Sequence, residues 1–152
     1  MSQTFGFERS HEVLIAAPPL DVFNYVANPR SWPEWILASH HIDSPDRALH
    51  AGEAFREKWS TRTGEVQLDW IVRTSVPGKQ WIAETQAAFL GPIIVHYTFQ
   101  AVDEGTLYRR TVSNPARPKA PTPQMIARVD EEAGDALGRI KANVEKRLHS
   151  RQ

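Results

Sequence analysis

The stretch that decides the fold runs from Gly52 to Ser113 and divides at its glycines: GEAFREKWSTRT (52–63), GEVQLDWIVRTSVP (64–77), GKQWIAETQAAFL (78–90), GPIIVHYTFQAVDE (91–104) and GTLYRRTVS (105–113). Each block opens on glycine, at intervals of 12, 14, 13 and 14 residues. Between the glycines lie runs rich in β-branched and aromatic residues, which suit a pleated, half-buried surface. A glycine at each boundary supplies the positive φ or tight turn that joins antiparallel neighbours. Val76-Pro77-Gly78-Lys79 and Leu90-Gly91-Pro92 strengthen two of these turns, because proline presets φ and cannot donate to a ladder. The spacing predicts an antiparallel meander with strands near Ala54–Thr61, Glu65–Val76, Gln80–Phe89, Ile93–Val102 and Thr106–Ser113.

Upstream, alternation predicts one strand near Phe7–Ala16 and a shorter one near Ile36–Asp43. Two short helices fit between them. Pro18-Pro19 opens the first, Leu20, Val22, Phe23 and Val26 are its apolar positions, and Asn28-Pro29 stops it. Ser31 is placed to cap the second, with Pro33 in its first turn and Trp32 and Trp35 on one face as core residues. Downstream, a proline-rich linker from Asn114 to Pro121 precedes a change of period. Thr122 reads as an N-cap and Pro123 as the first helical position. Ile126, Val129, Ala133, Leu137, Ile140, Val144 and Leu148 then recur in steps of three or four, the signature of one amphipathic helix. From Pro123 to Leu148 it would span about 39 Å at 1.5 Å per residue, enough to cross a small sheet. Gly134 and Gly138 are awkward inside it, each costing roughly 1 kcal/mol relative to Ala. They either flex the helix or leave space beside it.

Composition excludes several classes. The 152 residues hold no cysteine, which removes thiol catalysis, zinc ribbons and a disulfide framework. A chain of this length buries roughly 68–70% of its unfolded surface and needs no metal staple. Eighteen basic residues balance 18 acidic ones, so no basic excess points to nucleic acid. The N-terminus lacks a basic segment followed by an apolar one, and the expectation is a cytoplasmic protein. The uncharged run Thr85 to Val102 has the 18 residues a membrane span requires, but Gly91-Pro92 interrupts it and a β-hairpin explains it better, so no membrane insertion is expected. There is no Gly-x-Gly-x-x-Gly, phosphate-binding Gly-x-x-x-x-Gly-Lys, Gly-x-Ser-x-Gly or calcium loop, and no cofactor is expected. None of the six histidines forms a metal-ligand pair: adjacent His40 and His41 face opposite sides of a strand. An inward histidine, His11 or one of the pair, is placed to serve as an acid or base.

The order strand, two short helices, six-strand meander and long C-terminal helix resembles the helix-grip fold of the START-like superfamily, which includes polyketide cyclases/dehydratases, lipid-transfer domains and birch-pollen-allergen proteins. Local sequence is similar too: Ile15-Ala16-Ala17-Pro18-Pro19, Val22-Phe23-Asn24-Tyr25-Val26, Asn28-Pro29, Trp32-Pro33-Glu34-Trp35, Gly52-Glu53-Ala54-Phe55 and Gly105-Thr106-Leu107-Tyr108. The resemblance covers almost the whole chain and implies one α+β domain over residues 1–152, in which a curved seven-stranded antiparallel sheet wraps the C-terminal helix. It also implies a cavity between sheet and helix for a hydrophobic small molecule.

Alternation offers Phe55, Trp59, Val66, Leu68, Trp70, Trp81, Thr85, Phe89, Val95, Tyr97 and Phe99 to such a cavity. Glu57 shares a face with Phe55 and Trp59, Arg110 with Tyr108 and Val112, and Asp130 lies beside the helix stripe. Buried charges must pair, reach solvent or meet a ligand. Arg110 is expected to meet Glu57 or an acidic or carbonyl group of a ligand, unless a one-residue register shift turns Arg109 inward instead. The candidate ligand-binding residues are Glu57, Trp59, Trp70, Trp81, Tyr97, Phe99, Tyr108 and Arg110; no catalytic residue is assigned. The leading function is binding or carriage of a hydrophobic or aromatic molecule, lipid or polyketide-like, with the proline-rich linker as a candidate gate. A cyclase/dehydratase-type enzyme and an interaction module similar to the superfamily's chaperone activators are the alternatives. The last predicts a solid core and an exposed apolar patch.

Overall fold

The computed structural model describes residues 3–61, 64–88 and 90–150. Strand β1 (Phe5–Ile15) leads into helix α1 (Pro19–Val26) and a short 3-10 helix (Pro29–Glu34). Strands β2 (Ser39–Asp43), β3 (Ala54–Thr61), β4 (Gly64–Val76), β5 (Gln80–Ala87), β6 (Gly91–Val102) and β7 (Gly105–Arg117) follow, and helix α2 (Pro123–Ser150) completes the order. The strands form one sheet, β1-β7-β6-β5-β4-β3-β2, with every neighbouring pair antiparallel. The meander is therefore as expected, and β1 closes it by pairing with the last strand. Register shifts between Phe5 and Phe7, Ser39 and His41, and Val72 and Thr74 add the local twist that bends strands around a helix. At Gly105, φ is +139° and a Cβ would overlap the Ile15 carbonyl oxygen, so only glycine makes the β6–β7 turn beside the end of β1. This is the seven-stranded helix-grip architecture expected from the sequence.

Several boundaries differ from the expectation. The Ile36–Asp43 strand shortens to Ser39–Asp43. The second short helix is 3-10 and is capped by Asn28, whose side chain accepts from the Arg30 N–H at 3.0 Å. Ser31 lies within it instead, donating to the Tyr25 and Asn28 carbonyls at 2.6 and 2.8 Å. Strand β7 continues through Pro115 to Arg117: its pairing with β6 ends at Ser113, and Pro115 falls opposite the register shift between Phe5 and Phe7 of β1, where a residue with no N–H is tolerated. This leaves only a short linker before Thr122, whose Oγ1 caps α2 by accepting from the Met125 N–H at 3.1 Å. Strand β5 ends at Ala87, and Phe89 lies outside the described residues. Among the described residues no helix is long and apolar enough to cross a membrane.

Helix α2 is held differently along its length. Its buried side chains, Ala133, Ala136, Leu137, Ile140 and Val144, all lie beyond Glu132, and none from Pro123 to Glu132 is buried. Polar contacts fix the first part. Asp130 accepts from Arg9 Nε and Nη2 at 2.9 and 2.7 Å and meets His11 Nε2 at 2.8 Å. The charge flagged beside the helix stripe thus pairs with two residues on the inner face of β1. The arginine holds the Asp130 carboxyl below the usual range through its hydrogen bonds, with His11 adding to the effect. Nearer the C-terminus, Lys141 Nζ donates to the Leu14 carbonyl at 3.0 Å, and Glu145 accepts from the Ala16 N–H at 2.9 Å. Gly134 and Gly138 face outward, and a Cβ at either would meet nothing within 4 Å. They leave no room toward the sheet.

Candidate functional site

The inner face of the sheet begins with packing. Trp32 of the 3-10 helix meets Phe55, Trp70 and Trp81 edge-on, with ring centroids 5.2, 5.4 and 6.2 Å apart, and Trp70 stacks on Phe55 at 5.9 Å. Indole N–H groups find partners in this cluster: Trp32 donates to the Val26 carbonyl at 3.0 Å and Trp81 to the Leu49 carbonyl at 3.1 Å. Each aromatic pair contributes about 0.5–1.5 kcal/mol beyond its area. Trp70 and Trp81, expected as cavity lining, are therefore occupied with core contacts at the end closed by α1 and the 3-10 helix. Phe99 behaves similarly, packed between Phe23 and Tyr108 at 5.4 and 5.3 Å. Sequence alternation assigns a face correctly but carries no information about what a helix inserts against it.

The remaining candidates come together. Register pairs Arg110 with Tyr97 of β6 and His11 of β1, and Tyr97 with Trp81 of β5, so one inward row crosses four adjacent strands. Arg109 is the exposed neighbour, donating to Glu12 at 3.0 Å, so the register alternative is excluded. The Arg110 guanidinium lies over the Trp35 ring, 5.4 Å from its centroid. Tyr97 and Tyr108 are both 0% exposed, with rings 5.7 Å apart. Glu57 is also 0% exposed and accepts from the Trp70 indole at 3.0 Å. It forms no ion pair with Arg110 among the described contacts, although the positive charge still acts on it.

Several polar atoms here are buried without a hydrogen-bond partner: Ser39 Oγ, Glu57 Oε2, Trp59 Nε1, Tyr97 OH, Tyr108 OH and Arg110 Nε, with Ser75 Oγ beyond them. Each such group costs about 1–3 kcal/mol when nothing replaces its water. Native interiors hold few of them, and a concentration on one face calls for an explanation. Burial pushes the Glu57 carboxyl upward, opposed by the nearby Trp59 indole, Ser39 hydroxyl, Trp70 indole and Arg110 charge. The Trp59 and Ser39 groups exert this pull without reaching hydrogen-bond geometry. Burial likewise pushes the Tyr97 hydroxyl up to about 12 against the pull of Arg110, and the Tyr108 hydroxyl well above its usual value.

Coverage of this face is uneven. Tyr108 is sealed, but Arg110 and Val112 farther along β7 are half-buried, as are Trp59, Val66 and Leu90. Two clefts, of about 440 and 520 Å³, open elsewhere among the described residues: one is bordered by Asp21, Tyr25 and Arg147, the other by Asp43, Arg56 and Asp69 with the edges of Phe55 and the candidate Trp70. Neither lies between the sheet and α2, where the sequence reading expected a cavity. Of the histidines, only His11 joins the inward row, its Nε2 engaged by Asp130; His40 bonds Glu65 at 2.6 Å and His96 bonds Gln80 at 3.2 Å. Ser39 and Trp35 belong to the site but were not among its candidates. Ser39 pairs with Trp59 only through the β2–β3 register, and Trp35 reaches Arg110 only through tertiary packing.

The profile of the family described as polyketide cyclase / dehydrase and lipid transport matches residues 7–145. By sequence, no curated protein matches the chain. Solved structures share its fold at low identity. Ara h 8.0201 aligns at a TM-score of 0.70 and 13% identity, covering 93% of this chain and 99% of that one. The di-domain ARO/CYC StfQ from the steffimycin biosynthetic pathway aligns at 0.74 and 16%, covering 95% of this chain and 52% of that one. Protein CV1439 from Chromobacterium violaceum aligns at 0.71 and 15%, covering 91% and 97%. With the profile spanning nearly its full length on the fold these proteins share, the chain belongs to the polyketide cyclase / dehydrase and lipid transport family.

Proposed function

We propose that this protein binds a hydrophobic or aromatic small molecule whose polar end reaches the inner face of the sheet at Glu57, Trp59, Tyr97, Tyr108 and Arg110. The observation that supports this most strongly is the group of buried polar atoms on that face that lack a partner. A ligand oxygen supplies what they lack, while the half-buried apolar surface at Val66, Leu90 and Val112 supplies the burial that drives binding. Family membership and fold agree with this reading at the level of ligand class. The test is titration with Nile red, a neutral apolar fluorophore, alongside native mass spectrometry of freshly purified protein. Saturable one-to-one binding with a blue-shifted emission is expected, weakened by Tyr97→Ala. An absence of saturable binding refutes the proposal.

A second reading has its own observation: burial raises the Glu57 carboxyl within reach of the Arg110 field, which suits a proton donor or acceptor in an apolar site. On this reading the ligand is polyketide-like and is cyclised or dehydrated. Glu57→Gln would then abolish turnover while leaving binding close to normal, whereas a carrier shows no turnover to lose.

A further inference from the structure

The charge inventory of the inner face specifies the ligand more narrowly, and this rests on the binding role proposed above. Among the unpartnered atoms, Trp59 Nε1 and the Ser39 hydroxyl act on the Glu57 carboxyl, while Arg110 Nε can only donate and has no carboxylate partner among the described contacts. The hydroxyls of Tyr97 and Tyr108 can each donate as well. Glu57 Oε2 is the one carboxylate oxygen among them. The face is therefore rich in donors, the complement of an oxygen that carries several lone pairs.

Net charge points the same way. Arg110 is a permanent cation and forms no ion pair among the described contacts. Its titratable neighbours can be followed element by element. From β1, His11 is its register partner, and the His11 Nε2 is engaged by Asp130. From α2, Asp130 is committed to Arg9 in a two-point contact as well as to His11. From β6, Tyr97 is neutral, and from β3, Glu57 is too distant for an ion pair and sits where burial disfavours its charged form. The Trp35 ring under the guanidinium holds it in place by cation–π attraction without cancelling its charge.

We propose that this site selects molecules bearing an acidic oxygen, a carboxylate or an ionised enol or phenol, on an aromatic body, and that Arg110 imposes the selection. A guanidinium offers paired N–H groups to such an oxygen, and the tyrosine hydroxyls complete its coordination.

The experiment compares three probes of one shape, naphthoate, its methyl ester and naphthylmethylamine, by calorimetric titration of the whole protein. Naphthoate should bind at least about tenfold more tightly than the ester, the scale of one hydrogen bond to a charged group, and the amine more weakly still. Arg110→Gln should bring acid and ester to similar affinity, while Arg110→Lys keeps part of the preference because it retains charge without the planar fork. Equal binding of acid and ester to the unmodified protein overturns this inference and leaves the binding role standing. A preference that survives in Arg110→Gln overturns the role of Arg110. If none of the probes binds and Nile red also fails, both the inference and the binding role fall. If Nile red binds but no naphthyl probe does, only the inference falls.

Discussion

Replacing Gly134 and Gly138 by alanine should stabilise this protein substantially. Both lie inside α2, away from its ends, and both face solvent. An added Cβ at either position meets nothing within 4 Å, so no steric cost offsets the backbone entropy that glycine loses on entering a helix. Each change should contribute about 0.8–1 kcal/mol, and the pair about 2 kcal/mol, because two alanine methyl groups one helical turn apart neither clash nor form a strong contact. For a chain of this size, that corresponds to a rise of about 4–8 °C in Tm. Urea unfolding followed by far-ultraviolet circular dichroism measures it, with an unchanged m-value expected because the folded surface is the same. Ala142→Gly, at another exposed position of the same helix, is the reverse control and should lose about 1 kcal/mol. If the double variant is no more stable while Ala142→Gly behaves as expected, the reasoning is refuted. The glycines would then be serving a bend in the helix or a contact on its outer face.

Other perturbations test other parts of the structure. Burial raises the Glu57 carboxyl, so the folded chain binds that proton more tightly than the unfolded chain does. Its favourable contribution is complete below the unfolded value near 4.5 and is lost as pH rises through the folded value. The stability of Glu57→Gln relative to the unmodified protein should therefore increase with pH from about 4.5 upward and be flat below it; a difference independent of pH contradicts the burial argument. Gly105→Ala forces a non-glycine residue to φ +139° against the Ile15 carbonyl and should cost more than about 3 kcal/mol, measured by denaturant midpoint, with a loss below 1 kcal/mol counting against it. Tyr25 donates to Glu34 at 2.7 Å and accepts from Asn143 at 2.9 Å, so Tyr25→Phe should cost about 1–2 kcal/mol. A double-mutant cycle with Asn143→Ala should show coupling, and strict additivity would mean that the bridge contributes nothing.

The sheet order is legible in the sequence because turns are local. Glycines at Gly52, Gly64, Gly78, Gly91 and Gly105 all adopt positive φ, and the runs between them are short enough that only adjacent antiparallel pairing connects them. The long helix was equally readable, since its period and its Thr122 cap depend on residues within a few positions of each other. Alternation even placed Glu57, Tyr97, Tyr108 and Arg110 on the inner face, because a strand has only two faces. The space between sheet and helix was not readable in this way. Trp32 enters it from the 3-10 helix and packs Trp70 and Trp81 into the core, while Trp35, just past that helix, reaches Tyr97 and Arg110.

The sequence by itself determined the order of elements, the turns and the face of each strand residue, all properties set by backbone sterics and short-range periodicity. Only the tertiary structure decided which inward groups are left with partners. Asp130 is paired with Arg9 and hydrogen-bonded to His11 from a strand more than a hundred positions away, while Arg110, on the row beside them, has no carboxylate partner among the described contacts. Pairing between charges depends on distances of a few ångströms between elements remote in the chain, and no local pattern encodes those distances.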